Sequence, residues 1–332
     1  MLCALGSGCA SDPEAANYTY GGAGSNWQAT LNGDGTFTIT ESDSGMTATG
    51  TYETLSTGFL RLTVSSASGT GAPSAGDQAL ALNVPGFVFL LKPLGDGSPI
   101  IPMVPIGTCP SANMTANWIL TETNSDISLN TTEGFGTFTY TASTGAVALP
   151  TKYAIDNTSL GAGTIGTFTC SGGVGTLSGG EEMWFNPSGG AIVHGGSGDI
   201  ILAMTQATVG SAAALNGNYS GLVFSNNGGG DDTFPVMGTL SGGTGTFTQV
   251  TNVATGTLGT ESATLSFSAV DSPSAGFVDG NLAVTADATN PMQCMVTLNA
   301  NGSGKNVIMC LGEEPGTAGG VNNVYTLLLV QR

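Results

Sequence analysis

What this chain lacks first is base. Its 332 residues hold 23 Asp and Glu against only 5 Lys and Arg, a net charge of -18, although charged residues make up just 8% of the whole. The acidity therefore comes from missing cations and not from runs of carboxylates. Arg61, Lys92, Lys152, Lys305 and Arg332 cannot neutralise a string of phosphates, which supplies most nucleic-acid affinity. That excludes nucleic acid as a partner class and makes anionic lipid headgroups poor ones. Histidine is almost missing too: His194 is the single residue of its type, so the usual proton-transfer group of a catalytic site is scarce. No apolar run approaches the roughly 20 residues of a membrane-spanning helix. Nor is there a capped, 3.6-periodic segment of useful length, so almost no helix is expected.

What is present reads as strand. Trp27, Ala29 and Leu31 share one face, Asn32-Gly33-Asp34-Gly35 supplies a turn, and Phe37 and Ile39 return on the same face. Leu60, Leu62 and Val64 repeat the pattern with Arg61 and Thr63 outward. Thr, Val, Phe and Tyr dominate such stretches, and 53 Gly punctuate them. The predicted class is all-β, built from tandem small antiparallel β-barrel or β-sandwich modules.

Three segments begin and end alike. Asn26-Trp27, Asn117-Trp118 and Asn218-Tyr219 each open a strand, and Gly-Thr-Phe-Thr recurs at 35–38, 136–139 and 245–248. The aromatic openings lie 91 and 101 positions apart, a domain-sized repeat and not a solenoid rung. Each segment closes on an apolar hairpin: 87–91 with 100–104, 191–193 with 200–204, and 307–311 with 324–330. The expected organisation is an anchor and tether over 1–17, then modules over 18–110, 111–210 and 211–332. The last strand is apolar on both faces and should be central and buried. Pro102 and Pro105 mark the matching strand of the first module as an edge or a bend. The Asn-aromatic openings resemble the Gly-x-Trp start of lipocalin-like barrels, a likeness of architecture.

Six cysteines are present. Between Cys294 and Cys310 the sequence is symmetric about Gly302, with turn residues at its centre, so a hairpin places the two cysteines opposite each other within bridging distance. Cys109 with Cys170 follows by elimination. Two disulfides imply an oxidising compartment. A zinc site fits badly, since there is no CxxC pair and only one His.

The N-terminus reads Leu5-Gly6-Ser7-Gly8-Cys9. It resembles the lipobox of bacterial lipoproteins, with Leu one place further upstream than the pattern asks. The resemblance implies that Cys9 receives lipid and becomes the first residue of an exported chain, held to the outer membrane or at the extracellular surface by that anchor.

Candidate chemistry is sparse. Glu181-Glu182 before Met183-Trp184-Phe185 pairs carboxylates with an aromatic, an arrangement suited to carbohydrate. Asp231-Asp232 is the best entry point for a calcium ion, which prefers clustered loop oxygens. His194-Gly195-Gly196 resembles the oxyanion loop of lipases and esterases, but no G-x-S-x-G elbow accompanies it, so His194 reads as the end of a strand entering a Gly-rich turn. Asp43-Ser44-Gly45 is half of an aspartic-protease signature and reads as a turn. The expectation is a non-catalytic cell-envelope or surface lipoprotein with a structural or binding role and a protein or glycan partner. The alternatives are an adhesin or self-assembling extracellular fibre subunit, and a glycan-binding or glycan-cleaving protein using Glu181, Glu182 and Trp184.

Overall fold

The alternation of apolar and hydroxyl residues produces strands throughout. The computed structural model describes residues 18–22, 27–92, 100–122, 134–177, 181–186, 189–194, 200–205, 207–227, 230–283, 290–314 and 323–332. Its first module comprises β1 (Tyr18–Gly22), β2 (Trp27–Leu31), β3 (Thr36–Glu41), β4 (Met46–Thr54), β5 (Leu60–Ser68), β6 (Gln78–Val84), β7 (Val88–Lys92) and β8 (Ile101–Pro105). Each strand pairs antiparallel with the next, and β8 returns to β1, closing a barrel.

The middle module comprises β9 (Met114–Glu122), β10 (Phe135–Thr141), β11 (Ala146–Tyr153), β12 (Ser159–Thr167), β13 (Thr169–Ser171), β14 (Val174–Thr176), β15 (Glu182–Asn186), β16 (Gly190–His194) and β17 (Ile200–Thr205). Here too the last strand returns to the first, β17 to β9, but consecutive β12 and β13 form no ladder, so the ring keeps one open seam.

The third module comprises β18 (Gly217–Asn227), β19 (Gly230–Leu240), β20 (Thr244–Asn252), β21 (Thr257–Val270), β22 (Phe277–Ala283), β23 (Asn290–Thr297), β24 (Val307–Glu314) and β25 (Asn323–Gln331), and closes as a second barrel through β25 and β18. The helical elements of the described residues are two 3₁₀ turns, Ala212–Leu215 and Ala300–Gly302. None of the described helices is long and apolar enough to cross a membrane, a statement that does not bear on strands.

Closure follows from the two-residue period. Phe37 and Ile39 of β3 are buried while Thr36, Thr38 and Thr40 are half-exposed, and Met46, Ala48 and Tyr52 of β4 continue the inner face. Register places Thr38 between Thr30 and Thr49, so hydroxyls tile the outer wall of β2–β4. A closed ring removes the unpaired edges that an open Thr-rich sheet would expose.

The strands that are apolar on both faces have a second task. One face fills the strand's own module and the other meets a neighbouring module. Val88 and Leu90 of the first barrel, Trp118, Phe185 and Val193 of the middle module, and Leu222, Met309 and Leu328 of the third barrel belong to one continuous core. Gly21 on β1 shows how close the approach is: a Cβ there would stand 2.4 Å from Cδ1 of Trp184, so glycine is what lets the indole lie against the barrel. Phe135 meets Phe277 edge-on at 5.0 Å between ring centroids. Polar bonds finish the joints, Asn186 to the Phe87 carbonyl (2.8 Å), Asn117 to the Ala275 carbonyl (2.7 Å) and Thr57 to the Val253 carbonyl (2.8 Å), so each module touches both others.

Two expectations are corrected. Trp27 stands on the second strand of its barrel, whereas Trp118 and Tyr219 stand on the first strands of theirs. The counterpart in the first barrel is Tyr18, which begins β1 and is preceded in sequence by an asparagine, and it restores an even spacing of 100 positions to Trp118 and 101 more to Tyr219. Nor is the strand holding Pro102 and Pro105 an edge: β8 is buried and pairs on both sides. Each of those ladders spans only three residue pairs, as expected of a strand missing two N–H donors.

Between the middle and third modules the chain is tied down by one carboxylate. Asp271 Oδ1 accepts from the N–H of Val209 (2.8 Å) and of Gly276 (2.9 Å), and Oδ2 from that of Gly210 (2.7 Å). Burial acts to raise the pKa of Asp271, but the three N–H donors outweigh it and hold the carboxyl below its ordinary 3.8. A folded pKa below the unfolded one contributes stability that is present above the unfolded value and is lost as pH falls through the folded one. Asp271→Asn is therefore expected to lower the urea midpoint at pH 7 and to flatten part of the acid limb below about pH 4. Parallel pH profiles for the two proteins would count against this role.

Candidate functional site

The two closed barrels are filled differently. In the first, Tyr20 stacks on Phe89 at 5.3 Å between centroids and donates its hydroxyl to Asn83 Oδ1 (2.8 Å), so aromatic mass occupies the axis. What remains is a mouth of about 170 Å³ beneath Trp27 and Met46. In the third barrel only one end is filled. Leu215, on the 3₁₀ turn before β18, is fully buried there, and the Tyr219 hydroxyl donates to its carbonyl (2.8 Å). Burial pushes the Tyr219 hydroxyl up to about 12, which keeps the proton on this donor.

The other half of the third barrel is hollow, with a cavity of about 540 Å³. Its wall is Val223, Phe234, Val236, Phe247, Leu282 and Leu327, and its rim carries Gln249, Thr260, Glu261, Ser262 and Tyr325. The space follows from the sequence of the inner faces. Ala263 stands opposite Phe247 on the wall, where a larger residue would fill the axis. Small-molecule sites are typically about 300–1,000 Å³, mostly apolar with a few placed polar groups, and this cavity matches that description.

The disulfides are where the sequence placed them. Cys294 pairs with Cys310 directly across β23 and β24, and both are fully buried inside the third barrel. Cys310 in turn lies opposite Leu327 of the cavity wall, so the bridge staples strands that shape the site. Cys109 pairs with Cys170 and ties the connection between β8 and β9 to β13, beside the open seam.

The other sequence candidates are scattered. Glu182 begins β15, and both Glu181 and Glu182 are half-buried. Trp184 is buried against Gly21, so its ring faces are taken up by module packing and do not form a platform for a sugar. His194 ends β16, opposite Ile200. Residues 42–45, around Asp43-Ser44-Gly45, form the turn between β3 and β4. Asp231 and Asp232 pair with Asn226 and Ser225 at the open end of the third barrel, where Asp232 is exposed. Among the described residues no group of three or more His, Cys, Asp and Glu is placed to hold a metal ion. Cys9 lies outside the described residues.

No family model and no curated protein matches this chain. Among solved structures it is similar to a variant of the vaccine antigen transferrin binding protein B from Haemophilus parasuis Hp5, at 8% identity and a TM-score of 0.33, over 96% of this chain and 67% of that one. A likeness at that level carries no argument about role.

The cavity residues escaped the sequence reading. Ala263 looks like any other small residue of a Gly-rich strand, and only the closed register places it opposite Phe247 on the wall of a cavity. The available signal was comparative: the first barrel sets Tyr20 and Phe89 along its axis, and the third has no matching aromatic at the open end of β22 or β24.

Proposed function

We propose that this chain is an exported, non-catalytic binding protein of the cell envelope that holds a small amphipathic molecule in the open end of its third barrel. The observation that carries the reading is the 540 Å³ cavity, apolar on its wall and polar at its rim. Two disulfides support an oxidising, extracytoplasmic location. The same reading keeps Cys9 as the lipid attachment point that holds the barrels at a membrane surface. The first barrel and the middle module act as the scaffold, since their interiors are filled by their own side chains.

An apolar dye tests this directly. N-phenyl-1-naphthylamine, which fluoresces on leaving water, is expected to bind the whole chain saturably at one site. Ala263→Trp, which places an indole opposite Phe247 inside the cavity, should weaken that binding at least about tenfold while leaving the unfolding midpoint near that of the parent. Leu282→Trp fills the same space from β22 and provides a second variant should the first fold poorly. Absence of saturable binding, or binding undiminished in a folded filled variant, contradicts the reading.

A further inference from the structure

The rim of the cavity has a sign. We propose that the third barrel selects amphiphiles with a cationic head, of the long-chain alkylammonium class, over those with an anionic head; the proposal rests on the reading that this cavity holds a ligand. Glu261 is the one charged residue of the lining, and none of the five Lys and Arg of the chain is among the lining residues.

The charge at the mouth extends beyond Glu261. Strand direction puts Asp231 and Asp232 at the start of β19, at the open end of the barrel, and Asp232 is exposed there. The two bases of this module stand at the opposite end. Lys305 lies in the turn before β24, where its carbonyl accepts from Ala300 N–H, and Arg332 follows β25, its N–H bonded to the Asn218 carbonyl. The open end is therefore acidic in a chain whose net charge is already -18.

A carboxylate or phosphate head entering this mouth would meet Glu261 with no cation among the lining residues to offset it, and like charges brought together at low salt repel. An ammonium head gains a charge-assisted hydrogen bond to the Glu261 carboxylate, with the neutral oxygens of Thr260, Ser262 and Gln249 beside it. The alkyl tail takes the wall between Phe234 and Leu327. The field of the surrounding acids also raises the local concentration of cations and steers them to the mouth.

Displacement of N-phenyl-1-naphthylamine from the whole chain by dodecylamine and by dodecanoate, at pH 7 and low salt, separates the outcomes. Dodecylamine is expected to compete at least about tenfold more tightly. Glu261→Gln should bring the two within about threefold and Glu261→Lys should reverse the order, while the preference shrinks as salt screens the head. Glu261 is exposed, so neither variant threatens the fold. Equal competition by the two ligands, or a preference unmoved by Glu261→Gln, overturns the selectivity while leaving the cavity reading intact. Failure of the dye and of both amphiphiles to bind overturns both.

Discussion

Replacing Trp118 by alanine is expected to lower the stability of the whole chain by about 3–5 kcal/mol, the range for removing a buried Phe or Trp side chain, and to do so in a single transition. Trp118 is fully buried on β9, the strand that pairs with both β10 and β17 and also packs against β23 and β24 of the third barrel. Its neighbour across the ladder is Gly136, whose missing side chain makes room for the indole: a Cβ there would stand 2.9 Å from Nε1. Walls made of hydrogen-bonded strands cannot collapse into the space left by a truncation, which places the cost at the upper end for its chemistry. The Trp118 core is continuous with residues of all three modules, so the loss should not stay local. Trp27 and Trp184 remain as reporters in the first and middle modules of the variant. Fluorescence and far-ultraviolet circular dichroism should give coincident, shifted denaturation curves. Two separated transitions, with only one moving, would show that the shared core does not couple the modules.

The second large effect belongs to the bridge between Cys109 and Cys170. Its closing separation of 61 residues corresponds to about 4 kcal/mol of lost loop entropy in the unfolded chain, against about 3 kcal/mol for the 16-residue separation of Cys294 and Cys310. The two bridges also differ in what surrounds them. Cys294 and Cys310 sit in a closed barrel whose ladders persist without the bond. Cys170 lies on β13, a three-residue strand at the open seam that pairs only with β14. A Cys109→Ser/Cys170→Ser double variant is expected to lose about 4 kcal/mol and to show faster amide exchange over β13 and β14, while a Cys294→Ser/Cys310→Ser variant keeps exchange across β23 and β24 slow. Unchanged protection of β13 after removal of the first bridge would show that packing alone holds the seam, for instance through Gly173 lying against the Gly107 carbonyl.

Fold class was legible because it is written in short-range patterns. Phe37 and Ile39 alternating with Thr36, Thr38 and Thr40 state a half-buried strand, and the symmetry of the segment around Gly302 states a hairpin with its cysteines opposed. The choice between barrel and sandwich was not legible, because it depends on whether β8 finds β1 across about eighty residues. Both-face apolarity announced burial in Val324–Val330, but could not say that the second face meets another module. Pro102 and Pro105 misled for a related reason: proline is expelled from a central strand only where the ladder needs its N–H, and short ladders on both sides of β8 reduce that demand.

The site was legible least of all. A cavity is a deficit of side-chain volume across several strands, and no single residue of it carries a signature. Glu181, Glu182 and Trp184 attracted notice because adjacency in sequence imitates a site, yet β15 spends Trp184 on the joint with the first barrel. Asp231 and Asp232 were noticed as calcium candidates, and their place in the fold is the acidic rim of the hollow barrel.

A crystal structure of the whole chain with dodecylamine tests the central claim most directly. The predicted result is one alkyl chain inside the third barrel, lying between Phe234 and Leu327 with its ammonium at the Glu261 carboxylate. A third barrel packed shut by its own side chains, or an alkyl chain bound elsewhere with this cavity empty, would contradict it.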